Sequence, residues 1–330
     1  MPETGIFFLV SRQFVLNLCV RQLQVQLPEG RSMLIGIDWG GTKIEGVAME
    51  KDGRELLRLR ADTPRHDYFG CINVIKEMIA ALEQQTARSG SVGIGIPGSL
   101  EPVSRVGKGA SSTWLLGRPV EKDLHDCLKR NLRVENDADC FAASEAMDGA
   151  GAGCNVVFAV ILGSGAGAGI AIGGKAHHGP NNSGGEWGHN PLPFPDVTEL
   201  PGHPCYCGRH GCMETWVSGR AFEAEYFRHT QVDLKAREIM ERKRSGDRLS
   251  GLLWSRYIDR VARGLATVIN TLDPDILVMG GGMSNVDELY DDLPVALAKR
   301  TFSTVFHTPI RKAIHGDSSG VRGAAWLWKD

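Results

Sequence analysis

Neither sign of charge dominates this sequence. Its 330 residues hold 37 Lys and Arg against 39 Asp and Glu, a formal net charge of -2, with no run of like charges. That balance argues against the basic footprint of a nucleic-acid binder and against a charged tail. An apolar run able to cross a bilayer is also missing. The stretch GIFFLVSRQFVLNLCV near the start is interrupted by Arg12 and is too short. It has Glu3 ahead of it where a secretory signal needs basic residues. The eight cysteines do not form a disulfide framework: three crowd between Cys205 and Cys212, while Cys19, Cys71, Cys127, Cys140 and Cys154 are scattered. This is the cysteine usage of a reducing, cytoplasmic chain with one metal site. The phosphate-binding spacing G-x-x-x-x-G-K-[ST] is absent, and no helix follows the first glycine turn as a dinucleotide fold requires.

What is present is a globular composition, 42% hydrophobic and 23% charged, long enough for two domains, with 41 glycines. The glycines cluster, which marks places where backbone approaches something closely. LIGID, WGGTK and IEGVAM read as strand, glycine turn, strand, and a third strand ends in residues 60–64. Helical spacing runs from Asp67 to about Ser89 through Ile72, Ile75, Met78, Ile79 and Leu82. SVGIGIPGS predicts a buried strand with a Pro-Gly turn, a helix is expected from Val120, and LRVENDADC predicts a strand running into Asn-Asp. NVVFAVILGSGAGAGIAIGG repeats the strand, glycine turn, strand pattern. Leu252 to Leu272 predicts an amphipathic helix, DPDILVMGGG a strand with a glycine end, and Val321 to Trp328 a terminal helix. Two related α/β halves follow, with a ligand expected in a cleft between them. The expected limits are an N-terminal extension over 1–32, a first lobe over 33–150 completed by 316–330, and a second lobe over 151–315. The extension reads as a start ahead of a natural Met33, or else as a membrane-associating or partner-binding segment.

Several clusters can carry chemistry. In GIDWGGTK, the turn Gly40-Gly41 with Thr42 and Lys43 can offer N–H groups, a hydroxyl and an ammonium to phosphate, and Asp38 can hold magnesium through water. An ordinary hairpin turn would look similar. GSGAGAG at 163–169 leaves Gly163, Ser164, Gly165, Gly167 and Gly169 open to a polyphosphate, or to tight strand packing. Gly280, Gly281 and Gly282 fit a ribose or flat ring, or a plain strand-to-helix turn. Cys205, Cys207 and Cys212 supply three thiolates on a glycine-rich knuckle; a fourth ligand for zinc is His189, His203 or His210, and a disulfide with one free thiol is the alternative. Glu186 and His189 stand three apart between glycines, suited to sugar hydroxyls or to capping. Asn136-Asp137 is either an Asx turn or a cleft pair, Asp137 accepting the proton of an alcohol attacking a γ-phosphate and Asn136 holding a neighbouring hydroxyl.

GIDWGGTK, GIGIPGS, ENDA, GSGAGAG, GEWGHN, CYCGRHGCMET and DPDILVMGGGMS occur in this order, and together they resemble the ROK family of sugar kinases and related repressors. TPRHDY, STWL, EWGHNPLP and HGDSSGVRGAAWLW resemble the bacterial fructokinases, or manno(fructo)kinases, within it. The resemblance implies an actin-like ATPase fold of two ribonuclease-H-like lobes, ATP and Mg2+ as cosubstrate and cofactor, a structural Zn2+, and a homodimer. It implies that Asp38, Gly40, Gly41, Thr42 and Lys43 form the first phosphate loop, residues 163–169 the second, and Gly280 to Gly282 the adenosine side. It makes Asp137 the base, and Asn136, Glu186, His189, Gly98 and Ser111 sugar contacts. It makes His189, Cys205, Cys207 and Cys212 the zinc ligands. The expected reaction is D-fructose to D-fructose 6-phosphate, an ATP:hexose 6-phosphotransferase; the alternatives are mannose, glucose or an N-acetylated amino sugar. Trp39 replaces a smaller aliphatic residue, and Gly109 and Ser111 stand where related fructokinases carry asparagines. The 32 or so residues ahead of the first strand hold no basic recognition helix, so a sugar-responsive regulator is not expected.

Overall fold

A computed structural model describes residues 8–9, 33–109, 112–316 and 319–329. Its contacts divide the chain into two units: Met1–Ser144 with Gly179–Asn182 and Ser318–Asp330, and Glu145–His178 with Ser183–Asp317. Sequence had suggested changeovers at 150/151 and 315/316. Glu145 shows why the first falls earlier. Its fully buried carboxylate accepts the N–H groups of Ala150, Ile314 and His315, which ties it to the second unit.

The first unit is built on strands β1 (Phe8–Leu9), β2 (Met33–Trp39), β3 (Lys43–Met49), β4 (Glu55–Asp62), β5 (Gly90–Ile96), β6 (Ser99–Leu100), β7 (Gly107–Lys108) and β8 (Leu132–Asn136). Its helices are α1 (Tyr68–Thr86), α2 (Val120–Leu128) and α3 (Asp137–Met147), the last crossing into the second unit. The main sheet has the order β1-β4-β3-β2-β5-β8; β2, β3 and β4 are antiparallel, and β2, β5 and β8 parallel. β2 and β5 are buried along nearly their whole length and so read as continuous apolar runs. Of the expected N-terminal extension, only Phe8–Leu9 is described, paired in parallel with Leu59 and Arg60.

Helix α1 buries Cys71, Ile72, Ile75, Met78, Ile79 and Leu82, spacings of three and four that place one stripe on the sheet. Asp67 starts it by accepting the N–H of Gly70, and Ala87 ends it in the left-handed region. A later helix, α9 (Ser319–Trp326), lies directly on strand backbone. A Cβ on Gly36 of β2 would sit 1.9 Å from the Val321 carbonyl, and one on Gly93 of β5 would sit 1.9 Å from that of Ala324. Trp39, the aromatic replacement in the first glycine motif, is fully buried and stacks on Tyr68 at 6.0 Å.

The second unit holds β9 (Val156–Leu162), β10 (Ala166–Ile172), β11 (Lys175–Ala176), β12 (Ile276–Gly280) and β13 (Ile310–Lys312). Its helices are α4 (Glu214–Val217), α5 (Gly219–Thr230), α6 (Ala236–Arg244), α7 (Arg248–Leu272) and α8 (Glu288–Ala298). The sheet order is β11-β10-β9-β12-β13, again an antiparallel hairpin at one side and parallel strands at the other. Helix α7 is the spine of this core, burying Leu253, Trp254, Tyr257, Ile258, Val261 and Leu265. No helix among the described residues is long and apolar enough to cross a membrane.

Candidate active site

In the first unit the pairing Trp39–Ile44 closes the β2–β3 hairpin and leaves Gly40, Gly41 and Thr42 as its turn. Thr63, just past β4, fixes the shape of that turn. Its hydroxyl donates to the Gly40 carbonyl at 2.7 Å and its N–H to the Thr42 carbonyl at 3.1 Å. Ser112 lies alongside, its hydroxyl 3.0 Å from where a Cβ on Gly41 would stand. Neither residue was singled out from sequence, although each opens a segment, TPRHDY or STWL, that the family resemblance quoted. Lys43 does not point freely from the turn. It pairs with the buried Glu45 at 3.2 Å, which Arg58 and Arg60 also hold. Burial opposes the charge of Glu45, but the guanidiniums of Arg58 and Arg60, with Lys43, keep its carboxyl below the ordinary value.

Asp38 ends β2. Burial, then the negative charges of Asp137 and Glu45, push its carboxyl up to about 7, against the pull of Lys43. Asp137 opens α3, exposed to solvent, at the positive end of the helix. Asn136 immediately before it is the helix cap: its Oδ1 accepts the N–H groups of Ala138 at 2.8 Å and Asp139 at 3.3 Å. Its Nδ2 donates to the Gly98 carbonyl at 2.9 Å, bringing the ends of β5 and β8 together. The Asx reading of Asn136 therefore holds geometrically. Ser111 lies outside the described residues.

In the second unit the turn of the β9–β10 hairpin is only Gly163, Ser164 and Gly165, closed by the Gly163 N–H on the Gly165 carbonyl at 2.9 Å. Gly167 and Gly169 lie within β10, opposite Ile161 and Ala159. Gly281 packs against this turn with φ 76°; a Cβ there would stand 2.6 Å from the Leu162 carbonyl oxygen. Gly219, first residue of α5, donates to the Gly163 carbonyl at 2.8 Å. The second and third glycine clusters thus form one backbone-lined surface at the ends of β9 and β12. Glu214 was missed from sequence. Its carboxylate accepts the Ala166 N–H at 3.1 Å, and the signal available was its place two residues after Cys212.

Glu186 and His189 share one 3-10 turn, with 3.9 Å between Oε2 and Nε2. The segment is seated on β10, where a Cβ on Gly188 would lie 1.9 Å from the Ala166 carbonyl. His189, Cys205, Cys207 and Cys212 present donor atoms all within 4.8 Å of one another. His189 Nδ1 is 3.5 Å from Cys205 Sγ, and Cys207 Sγ is 3.6 Å from Cys212 Sγ. A disulfide needs about 2.05 Å, whereas a zinc tetrahedron with arms of about 2.3 Å has edges near 3.8 Å. The donor set and spacing fit zinc. His203 is not part of this cluster; its ring lies 4.5 Å from that of Trp216, centroid to centroid, tilted by 41°.

The sequence pattern of the ROK family matches residues 34–330. An N-acetyl-D-glucosamine kinase of Mannheimia succiniciproducens is 38% identical over 301 residues, covering 90% of this chain and 99% of that protein. Among solved structures, a ROK hexokinase from Thermus thermophilus is 28% identical and covers 89% of this chain and 97% of that one, with a TM-score of 0.80. A ROK family glucokinase from Streptomyces griseus, solved with glucose and AMPPNP, is 27% identical and covers 90% and 99%, with a TM-score of 0.73. The architecture is the actin-like ATPase fold implied by the motifs. The sugar named for the curated relative is not the fructose of the narrower resemblance. On a match that runs from Leu34 to the last residue, the chain belongs to the ROK family.

Proposed function

We propose that the protein transfers the γ-phosphoryl group of ATP to the 6-hydroxyl of a hexose, with Asp137 as general base. The observation that carries this is the pair Asp38 and Asp137. Two strand ends of one sheet bring an exposed carboxylate within the electrostatic reach of a second, whose proton affinity is raised to about 7. Phosphoryl transfer needs a base for the attacking alcohol, a place for the metal-bound phosphates and in-line positioning. Asp137 supplies the first. The Gly40–Thr42 turn and Asp38 supply the second, Asp38 being the residue that would hold Mg2+ there. Mg2+, when bound, would supply neutralisation of the phosphate charge. The bare backbone of Gly163, Gly165, Gly281 and Gly282 suits the nucleotide, and Glu186 and His189 suit sugar hydroxyls. His189, Cys205, Cys207 and Cys212 would hold a structural zinc, which would keep the Glu186 turn and the knuckle in one geometry. Elemental analysis of the purified chain is expected to return one zinc per chain, and none would remove this part of the reading.

Two sugars have specific support. N-acetyl-D-glucosamine is named for curated relatives covering about nine-tenths of the chain. D-fructose is favoured by the segments TPRHDY, STWL and EWGHNPLP. An ADP-release assay across D-fructose, N-acetyl-D-glucosamine, D-mannose and D-glucose decides between them by kcat/KM. ATP hydrolysis that none of the four sugars stimulates would sink the kinase reading itself.

A further inference from the structure

Helix α7 carries two arginines, Arg260 and Arg263, that are almost completely buried, together with Glu199 and Glu225. Glu199 Oε1 accepts Arg260 Nε and Arg263 Nη2, both at 2.8 Å, and its Oε2 accepts Arg263 Nη1 at 2.9 Å. Glu199 Oε2 also accepts the Asp196 N–H, closing a capping box at 3.0 Å. Arg263 Nη1 donates further to the carbonyls of Pro193 at 3.0 Å and Phe194 at 2.7 Å. Arg260 reaches Glu225 on α5, and its guanidinium lies 4.7 Å from the Trp216 ring on α4.

The bonds to Glu199, Pro193 and Phe194 converge on the loop that connects His189 to Cys205, while those to Glu225 and Trp216 anchor Arg260 to α5 and α4. That loop has few apolar anchors along its middle: Phe194, Val197 and Leu200 are each more than half exposed. Both its ends embrace the Gly211–Cys212 step. Met213 N–H meets the Asn190 carbonyl, Leu192 N–H the Gly211 carbonyl, and Gly211 N–H the His203 carbonyl. A buried ion cluster is a poor source of stability, because desolvating the charges offsets their attraction, but its directional bonds fix geometry. We propose that Arg260, Arg263 and Glu199 are positioning residues, a buried clamp that sets the span of the loop and thereby places the His189–Cys212 group and the Glu186 turn for sugar binding. This rests on the sugar-kinase reading of the same site.

The test is the double substitution Arg263→Met with Glu199→Leu, which removes one buried charge of each sign, leaves Arg260 its bond to Glu225, and releases the Pro193 and Phe194 carbonyls. For whichever of D-fructose and N-acetyl-D-glucosamine the parent uses, KM is expected to rise about tenfold or more, the range seen for supporting groups around metal sites. KM for ATP should stay within about twofold on the same argument. Zinc should pass to a chromogenic chelator about tenfold faster than from the parent. Parent-like sugar KM and zinc release would overturn the clamp. So would parallel rises in both KM values with a lowered Tm, the mark of general damage. If the double variant does not fold, Glu199→Asp keeps the charge but shortens the reach, and the same readouts decide in the same way. Zinc release needs no turnover, so a parent that phosphorylates neither sugar would defeat the proposed function while the release rate still judged the clamp.

Discussion

The two glycine hairpins occupy the same place in two sheets that share a five-strand order, β1 adding an edge to the first, yet they are held by opposite means. In the first unit, side chains do the holding. Thr63 ties the turn, Lys43 is drawn to Glu45, and Asp38 and Asp137 crowd their charges at the strand ends. In the second, backbone holds backbone: Gly163 on Gly165, Gly219 on Gly163, Gly281 against Leu162. Glu214 accepts from Ala166, the first residue beyond that turn. The two sheets thus share a frame but carry carboxylates at one hairpin and bare amide surface at the other. Carboxylates suit proton and metal chemistry, and unobstructed N–H groups suit a polyphosphate.

The comparison can be broken at its frame. Gly93→Ala should have the largest effect, because the added Cβ would lie 1.9 Å from the Ala324 carbonyl oxygen, and helix backbone cannot swing aside as a side chain can. A loss of about 3 kcal/mol is expected for such overpacking, read as a lowered urea midpoint in the first unit. An unchanged midpoint would show that α9 is not seated on β5.

Asp137→Asn tests the chemistry placed in that frame. Turnover should fall by about 10²-fold or more, the lower end of general-base loss and equivalent to about 2.7 kcal/mol of barrier, with sugar KM little changed. Turnover close to that of the parent would remove Asp137 from its role. The Asn136 cap would survive the change, since it uses its own side chain for Ala138 and Asp139.

How far the sequence led is clear from these same residues. Both hairpins, α1 and α7 were legible because alternation and three-to-four spacing report burial on one face. Helix α3 was not. Residues 138–146 are almost all buried, so no polar face marks a helical period, and Asn-Asp reads locally as a turn when it is a cap. Arg260 and Arg263 were hidden for a different reason. Their partner Glu199 lies 61 and 64 positions away, and nothing local distinguishes a clamped arginine from a solvated one. Gly36 and Gly93 were taken with the glycine-rich motifs, whereas what they meet is a helix. Spacing alone left the fourth donor open among three histidines, and the family resemblance named the histidine that the fold brings to the thiols.

Asp38 sharpens the comparison by pH. Its carboxyl has a folded-state pKa of about 7 against an ordinary 3.8. Stability from the extra bound proton is therefore complete below about 4 and is lost as pH rises through 7. Above that pH the chain carries a buried charge with negative neighbours. Asp38→Asn should abolish magnesium-dependent turnover and yet stabilise the fold at pH 8 by roughly 2 kcal/mol, half of the full three-unit shift because the site is not sealed from water. The gain should shrink toward pH 5. A variant no more stable than its parent at pH 8 would show that burial does not strain Asp38.

The smallest effect belongs to Gly167. It lies in β10 outside the left-handed region, and a Cβ there meets no atom within 4 Å. Exchanging glycine for alanine at such a site reduces unfolded-chain entropy, so stability should change by no more than about 0.5 kcal/mol, in the favourable direction. Gly165 is the contrast, because its Cβ would lie 2.5 Å from Glu214 Oε2. If the open space over Gly167 is where phosphate approaches, Gly167→Ala should raise the KM for ATP several-fold at unchanged Tm, while sugar KM stays put. Should ATP KM remain that of the parent, the phosphate surface of the second unit is confined to Gly163, Ser164 and Gly165, and the glycines of β10 serve only to seat the Gly185–Gly188 turn against the strand.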